Sequence, residues 1–452
     1  MNDPNFFNNT SQMRGVRDGR TPEYLNNNAT DLIDRYRDRL NDDDAQWPSF
    51  REVPDFDVAA QTKRIHLDEF YFPFGIKSSC TTFSNSFSLA SALVQGPILF
   101  EDVKFLKDVN LERINTGINA NITFKNCIFS KNLNIKSTHL FASIVFSNCS
   151  IFNVDFTHSK FTSGADFRTS TFRNFANFRS ASFGPSNQSD SITGFREVKF
   201  KGSVTFERTV FGDDADFQLS EFSEEADFTN ATFSSVASFH DAKFQGKVDF
   251  SNAQFDGQLR FDNVKFSGAV PKFFEAKLHQ DTRFTTTLSL WPTPDEGSAH
   301  DGVEAYTRLR QIMSDLKKPE EEHFFFRQEF NCKALIGSFW ERLPIRLFRR
   351  VSNFGHGLKQ PIVGLSLLWL IPAIIFWINS ACFEGSMDYI QSAALSFANI
   401  FKFLGFHSLY VNEELVAKLP WGLKFLSGAQ TAVGFTLIFF LGLGLRNRFR
   451  LR

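Results

Sequence analysis

The chain has 452 residues, of which 58 are Phe and only 6 Tyr and 6 Trp. Lys and Arg total 49 and Asp and Glu total 50, so no overall charge points to nucleic acid or to an acidic substrate. A hydrophobic share of 42% with 22% charged residues excludes a chain that is disordered throughout and allows two or three domains. The excess of one aromatic residue type therefore needs a structural cause.

Catalytic and metal-binding signals are missing from the sequence. The five Cys residues show no C-x-x-C spacing, which indicates neither a disulfide framework nor a zinc site; they are Cys80, Cys127, Cys149, Cys332 and Cys382. The first thirty residues are rich in Asn and lack the apolar run of a signal peptide. No hydrolase, phosphate-loop or calcium-loop motif occurs, and the 9 His are scattered. We expect no enzyme and no cofactor.

A repeat of eleven residues fills the middle of the chain. Six rows follow one another from Gly202 to Ser267, and they read GSVTFERTVFG, DDADFQLSEFS, EEADFTNATFS, SVASFHDAKFQ, GKVDFSNAQFD and GQLRFDNVKFS. Phe recurs at alternating spacings of five and six, and the same frame holds earlier with a six-residue insertion at 185–190. The rings that we expect to form one structural ladder are Phe206, Phe211, Phe217, Phe222, Phe228, Phe233, Phe239, Phe244, Phe250, Phe255, Phe261 and Phe266.

Each Phe is preceded, two positions earlier, by a small or modest apolar residue such as Ala226 or Val248. In an extended backbone, positions i−2 and i point the same way, so the two side chains share one face. Two or three polar residues follow, which is typical of a very short strand and a corner. Repeated, this unit predicts a solenoid with Phe inside, where the polar groups of Tyr and Trp would need buried partners.

A right-handed helical supercoil also has an eleven-residue period. In a helix, however, the two Phe of a row lie about 140° apart and form no single apolar stripe. The residues between them are mostly Ser, Thr, Asp, Asn and Gly, which are indifferent or poor helix formers. The pattern favours strands over helices.

The A-D-F-x-x and A-x-F-x-x units resemble the pentapeptide-repeat family, in a Phe-centred variant with one extra residue in every second pentad. The resemblance implies a β-solenoid, a right-handed quadrilateral β-helix in which one pentad forms one face and two rows form one coil. We expect this domain over residues 96–290. Residues 1–95 match no pattern; we expect them to be partly disordered, and a solenoid cap is one role open to them.

Outward-facing charges provide candidate binding surfaces on the solenoid. An acidic patch is predicted at Asp213, Asp214, Asp216, Glu221, Glu224, Glu225 and Asp227, and a basic patch at Arg168, Arg173, Arg179, Arg196, Lys199 and Lys201. These patches either dock a partner or are solvated faces. Some members of the resembled family mimic DNA and inhibit gyrase, but residues 96–267 carry 20 acids and 18 bases, so an extended acidic surface is not expected.

The pattern changes after the repeats, where Pro292, Pro294 and Gly297 mark a break. Apolar residues then recur at helical spacing, and PEEEHFFFRQEFNCKAL opens with Pro and three Glu, as helices often do. We therefore expect a helical hairpin connector over residues 291–345.

Two uncharged apolar stretches in residues 346–452 predict a two-transmembrane-helix α domain, with spans at about 361–383 and 425–445. Basic residues flank the pair: Arg342, Arg346, Arg349, Arg350 and Lys359 before it, and Arg446, Arg448, Arg450 and Arg452 after it. By the positive-inside rule we expect both termini, and with them the solenoid, to be cytoplasmic. The protein would then be a multi-pass protein of a bacterial inner membrane, in contact with the lipid bilayer.

Between the spans, residues 389–401 are uncharged but too short to cross, which suits a re-entrant or interfacial helix. Ser392, Ser396 and Asn399 form one polar stripe on this helix, and they are candidate pore residues. The order of span, short helix and span resembles a two-helix potassium channel subunit, although the filter sequence T-V-G-Y-G is absent. The stripe could line a pore, face a neighbouring helix or lie at the lipid interface.

The segments LFRRVSNFGHGLKQP and LGLGLRNRFRLR resemble bacterial membrane proteins that join pentapeptide repeats to a channel-like module. The favoured hypothesis is a membrane protein that displays its solenoid to bind or scaffold an unknown cytosolic protein. The alternative is an oligomeric channel or membrane-permeabilising protein, which requires a homo-oligomer. A weaker alternative is a DNA-mimic gyrase inhibitor; binding of nucleic acid itself is not expected.

Overall fold

The computed structural model describes residues 65–66, 68, 71–72, 75–117, 120–184, 192–382, 388–406 and 419–450. The predicted disordered region up to residue 64 and the end of the first predicted span at Phe383 lie outside these residues. The chain divides into two compact units, Met1–Pro294 with Glu304–Phe325 and Asp295–Val303 with Phe326–Arg452.

The first unit is a β-solenoid of about nine turns, built from short strands that all pair in parallel. Each coil contributes four strand segments, and equivalent positions in successive coils are most often 22 residues apart, as with Phe222 and Phe244. Two eleven-residue rows therefore make one coil with four faces. The predicted fold class is confirmed.

The strands form three sheets. The 16-stranded sheet contains Ile65–His66, Thr82–Phe83, Phe87–Ser88, Lys104–Phe105, Val109–Asn110, Ile128–Asn134, Ser150–Asp155, Thr171–Phe172, Ala176–Asn177, Lys199–Phe200, Val204–Thr205, Glu221–Phe222, Ala226–Asp227, Lys243–Phe244, Val248–Asp249 and Lys265–Phe266. The nine-stranded sheet contains Tyr71–Phe72, Leu93–Val94, Asn115–Thr116, His139–Leu140, Lys160–Phe161, Ser182–Phe183, Val210–Phe211, Thr232–Phe233 and Gln254–Phe255. The ten-stranded sheet contains Ile76–Ser79, Ile98–Glu101, Ile122–Lys125, Ile144–Ser147, Ala165–Asp166, Ile192–Gly194, Asp214–Asp216, Ala237–Ser238, Leu259–Phe261 and Arg283–Phe284.

The largest sheet covers two faces, because the strands Ile128–Asn134 and Ser150–Asp155 continue round the corner between them. Along each strand, inward and outward side chains alternate, so Ala226 is buried while Asp227 faces outward. This alternation is the one expected from the repeat, which places a small residue and a Phe on the inner side of each face of the coils from Gly202 to Ser267.

Stacked Phe rings fill the interior in columns, one column behind each face. Neighbouring rings in a column are nearly parallel, with centroids 4.5–5.5 Å apart. Rings of adjacent columns meet edge to face, as Phe217 and Phe228 do at 5.7 Å and 87°. The twelve rings expected in one ladder are distributed over these four columns, and none is more than 3% exposed.

One corner of each row requires a left-handed backbone. Asn230 has φ 57°, and the N–H of Ala231 donates to the carbonyl of Phe228 at 3.1 Å. A positive φ at the third residue of such a turn is the mark of a type II turn, which Asn tolerates better than most residues. The same corner recurs through the solenoid, and it explains why Asn is frequent two positions after Phe.

The solenoid begins earlier than residue 96, where the Phe pattern placed its start. The strand Ile76–Ser79 pairs in register with Ile98–Glu101, and Phe87–Ser88 pairs with Val109–Asn110. In these coils several interior positions hold Ile, Leu or Val, such as Leu89. A pattern based on Phe cannot detect them.

An aromatic cluster covers the C-terminal end of the solenoid. The Trp291 ring lies 5.1 Å from Phe266 and 5.1 Å from Phe325, and its indole N–H donates to the carbonyl of Thr285 at 2.8 Å. Trp291 also contacts Phe324 and Tyr306, the latter fully buried. These side chains close the Phe columns against solvent.

Six α-helices follow in the described part of the chain. They are α1 (Ala299–Asp315), α2 (Pro319–Lys333), α3 (Phe339–Ser352), α4 (Lys359–Cys382), α5 (Tyr389–Ile400) and α6 (Trp421–Arg450). Short 3-10 turns occupy Leu288–Leu290 and Lys402–Leu404.

Helices α4 and α6 are long and apolar enough to cross a membrane over Lys359–Ser380 and Trp421–Phe449. Only 22% and 17% of their most apolar windows are buried inside the protein, unlike the core helices of soluble proteins. Helix α6 extends beyond the predicted span at both ends, because Lys424 and Arg446 can continue a helix without being apolar.

The dry interior predicts that Phe228→Tyr destabilises the solenoid by roughly 1–3 kcal/mol, since the added hydroxyl has no partner among the surrounding rings. Thermal unfolding of the full-length protein in detergent, followed by circular dichroism, measures the change. The control is Phe175→Tyr, at a ring that is 43% exposed, where we expect no loss. Equal stability of the two variants would contradict a dry Phe core.

Candidate functional site

The seven residues of the predicted acidic patch do not form one surface. Asp214 and Asp216 lie on the ten-stranded sheet, Glu221 on the next face, and Asp227 on the face after that. A coil takes 22 residues, so a run of fifteen passes three of its four faces. Residues that are neighbours in sequence therefore point in different directions.

Glu221 is matched by bases in the adjacent coils. The in-register neighbours of Glu221 are Lys199 and Lys243, and its carboxylate lies 2.8 Å from the Lys243 ammonium. This hydrogen bond and the charge of Glu221 raise the pKa of Lys243. Lysines thus flank Glu221 on both sides, and Lys243 is followed by Lys265, so this face does not present the extended acidic surface that DNA mimicry needs.

Several Asp side chains have a structural role at the corners. The Oδ1 atoms of Asp216, Asp227 and Asp249 accept the N–H of the residue two positions on, at 2.9, 2.9 and 2.8 Å. This is an Asx turn, in which a short carboxylate completes the bonding of the turning backbone. The Asp of the A-D-F unit therefore holds the corner that follows it.

Half of the predicted basic patch is engaged with carboxylates. Arg168 forms a fork with Asp166, with Nη2 2.6 Å from Oδ2, and this bond raises the pKa of Arg168. Arg179 lies 3.2 Å from Glu207, and Arg196 lies 3.5 Å from Glu197.

The other three basic residues, Arg173, Lys199 and Lys201, have no carboxylate partner among the residues that the structure describes. Arg173 and Lys201 occupy equivalent positions in successive coils, directly after the paired residues Phe172 and Phe200. The basic patch is thus reduced to one corner of the solenoid.

Two Phe residues at this same corner were not identified from the sequence. Phe152 and Phe175 are 38% and 43% exposed, and they are the exposed Phe of the described solenoid. They lie on adjacent coils, where the N–H of Asn174 donates to the carbonyl of Phe152 at 2.9 Å. Their spacing in the sequence could have identified them. The ladder rings follow one another at alternating intervals of five and six residues, and neither Phe152 nor Phe175 falls on these intervals.

A ladder of amides makes this corner rigid. The side-chain amide of Asn132 donates to Asp108 at 2.9 Å, that of Asn153 to Asn132 at 2.9 Å, and that of Asn174 to Asn153 at 2.8 Å. The Asn153 oxygen also accepts the N–H of Phe175 at 3.0 Å. The ladder therefore fixes the backbone beside both exposed rings.

We refer to Phe152, Arg173, Phe175 and Lys201 as the aromatic–basic corner. It combines two exposed rings, two cationic groups and a fixed backbone. Its chemistry suits binding of a surface with apolar and acidic groups, and it offers no group for covalent catalysis. In the described part of the chain, no cluster of three or more His, Cys, Asp or Glu is arranged to hold a metal ion.

The polar stripe of α5 faces the other helices of its own unit. Ser392, Ser396 and Asn399 are all fully buried. The Ser396 hydroxyl donates to the carbonyl of Trp369 on α4 at 2.7 Å, and the Asn399 amide donates to Gln430 on α6 at 3.2 Å. Of the three locations left open by the sequence, the structure places the stripe against neighbouring helices.

Gln430 is the centre of this polar cluster, and it was not predicted from the sequence. Its amide nitrogen donates to Ser396 Oγ at 2.6 Å, to the Ser396 carbonyl at 2.9 Å and to the carbonyl of Leu368 at 2.9 Å. It thereby joins α4, α5 and α6. An amide in the middle of an otherwise apolar span is the signal that could have indicated it.

The Asx turns predict that Asp227→Ala destabilises the solenoid by about 1 kcal/mol, because the Thr229 N–H loses its acceptor. Asp227→Asn keeps that acceptor and should be close to neutral. Asp262→Ala is the matched control. Asp262 is exposed and makes no side-chain hydrogen bond in the described structure, so this substitution removes the same charge and no hydrogen bond. Thermal unfolding distinguishes them; equal losses for Asp227→Asn and Asp227→Ala would show that charge, and not the turn, matters.

Residues 190–232 and 228–271 match the family described as Pentapeptide repeats (9 copies). The match covers later coils of the solenoid and none of the six helices. A comparison with curated protein sequences gives no match. The β-solenoid therefore contains coils that match pentapeptide repeats, and two of the helices that follow it are candidate membrane spans.

Proposed function

We propose that this protein is anchored in a membrane by α4 and α6 and that its solenoid binds a partner protein through the aromatic–basic corner. The observation that carries the proposal is the exposure of Phe152 and Phe175, since the Phe rings of the columns are buried inside the solenoid. Exposed aromatic rings beside arginine are typical of the residues that dominate binding energy at protein interfaces.

The chemistry of the corner defines the partner. Arg173 and Lys201 lack carboxylate partners among the described residues, and they stand beside the two rings. The partner should therefore offer apolar side chains together with Asp or Glu. The amide ladder beside the rings reduces the ordering that binding requires, since the corner is already fixed.

The hairpin of α4 and α6 supports a membrane anchor with both ends on one side. Near the start of α4, the carbonyl of Gly355 accepts the side-chain amide of Asn447, close to the end of α6, at 2.9 Å. Lys359 and Arg448, both exposed, lie at these same ends. By the positive-inside rule, the basic ends face the cytoplasm.

A photo-crosslinking amino acid at position 175 tests the proposed interface in cells that express the full chain. We expect one dominant adduct with a protein whose crosslinked segment contains apolar and acidic residues. Replacing Arg173 and Lys201 by Glu should reduce the adduct about tenfold or more, since like charges then oppose the partner.

The control position is Lys160, which is exposed on the nine-stranded sheet, away from this corner. Crosslinking there should not yield the same adduct. An adduct that is equally strong from both positions, or that survives the charge reversal, would contradict binding at the aromatic–basic corner.

The second candidate function is an oligomeric channel, favoured by the packing of α5 against both candidate spans. The polar cluster is occupied by contacts within one chain, so the lining of a pore would have to come from other surfaces brought together by several copies. Purified protein in planar bilayers should then pass current, and Asn399→Leu should alter it by loosening α5. Silence with all ions and voltages tested would reject this candidate.

A further inference from the structure

Helix α3 precedes the first candidate span and has three chemically distinct sides. At about 100° per residue, Arg342, Arg346, Arg349 and Arg350 share one arc of about 100°. Trp340, Leu343, Pro344 and Leu347 share a second arc, and Ile345, Phe348 and Ser352 share a third. Such a division indicates contacts with three different environments.

The third side holds α3 against its own unit. The Phe348 ring lies 5.6 Å from Phe440 on α6 and 5.6 Å from Phe354. Ser352 is fully buried, and its hydroxyl donates to the carbonyl of Phe348 at 3.0 Å. These contacts fix the rotation of α3, so the directions of its other two sides are determined.

The apolar side is exposed in the described structure. Trp340 is 76% exposed, Leu347 is 53% exposed, and Pro344 between them is also exposed. This is a large aromatic and aliphatic surface directly before a candidate membrane span. Its position in the chain argues for the membrane boundary, where Trp is enriched.

The basic side carries unmatched charge. The Arg342 guanidinium lies 3.2 Å from the Glu296 carboxylate. Arg346, Arg349 and Arg350 are exposed, and none of them has a carboxylate partner among the described residues. Guanidinium groups bind phosphate oxygens in pairs of hydrogen bonds. A phosphate group is therefore the ligand that fits these exposed arginines.

We propose that α3 lies in the cytoplasmic headgroup layer and binds anionic phospholipid. Trp340 and Leu347 enter the boundary between headgroups and acyl chains, and the three free arginines bind lipid phosphates beside them. Lipid is favoured over a protein partner because the basic and apolar sides adjoin along a helix that only residues 353–358 separate from α4, whose start is the membrane boundary. This inference rests on the membrane anchor of the proposed function.

The test uses the full-length protein in nanodiscs of phosphatidylcholine that contain either brominated phosphatidylcholine or brominated phosphatidylglycerol in equal amount. Brominated chains quench Trp on contact, and the difference between wild type and Trp340→Phe isolates Trp340. We expect stronger quenching of Trp340 by phosphatidylglycerol, and a preference that falls as salt is added. Changing Arg346, Arg349 and Arg350 to Gln should lower the preference about tenfold or more, because each arginine near an anionic surface contributes about a fivefold factor.

The matched control changes Arg260, Lys265 and Lys272, which are exposed on the solenoid, to Gln; it removes the same charge and should leave the preference intact. Equal quenching by the two lipids, or an unchanged preference in the α3 variant, would overturn lipid binding by the arginines. Absence of quenching by both lipids would overturn the interfacial position of Trp340. Alkaline extraction of cell membranes separates the two proposals. If the protein stays in the membrane but shows no lipid preference, only lipid binding by α3 is rejected. If the protein is extracted, the membrane anchor is rejected as well.

Discussion

The stacking of Phe rings along the solenoid is the constraint on which the rest of this unit depends. Parallel strands lie about 4.8 Å apart, and stacked aromatic rings prefer nearly the same separation. The observed centroid distances of 4.5–5.5 Å satisfy both. One ring per face and coil therefore sets the usual coil at 22 residues, places the corners between rings and keeps the charged side chains of the described solenoid out of its interior. Tyr and Trp are excluded from the columns because their polar groups would need buried partners there. Trp291 lies where the columns end.

A coil of this length separates residues that are adjacent in sequence and brings together residues that are not. Glu221 and Asp227 lie on different faces, whereas Glu221 and Lys243 form an ion pair across one strand spacing. Charge read along the chain is therefore a poor guide to the surface. Insertions add to the difficulty: Asp166 pairs with Gly194, 28 residues on, because the six residues at 185–190 lie between them.

The fold was predictable from the sequence because the spacing of Phe encodes the coil directly. The start of the solenoid was not, since aliphatic residues such as Leu89 fill interior positions there. The aromatic–basic corner was not predicted either, although its Phe residues stand out of phase with the ladder. Phase shows that Phe175 is outside a column, but only the pairing of coils shows that it shares a corner with Phe152 and Arg173. Gln430 is a similar case, because its partners come from two other helices.

A polar cluster centred on Gln430 joins three helices of the helical unit. In a medium without water, amides and hydroxyls stabilise helix packing when they bond to one another, and Gln430 bonds to both α4 and α5. Within the stripe of α5, Ser396 and the Asn399 amide nitrogen bond to neighbouring helices, whereas the Ser392 hydroxyl and the Asn399 side-chain oxygen are buried without a partner in the described structure. On the surface, exposed aromatic rings stand beside basic side chains without a carboxylate partner among the described residues, once on a corner of the solenoid and once on α3. On a rigid β corner this combination fits a protein with acidic groups, whereas on a helix that leads into a candidate span it fits lipid phosphates, because the neighbouring element determines which partner can reach it.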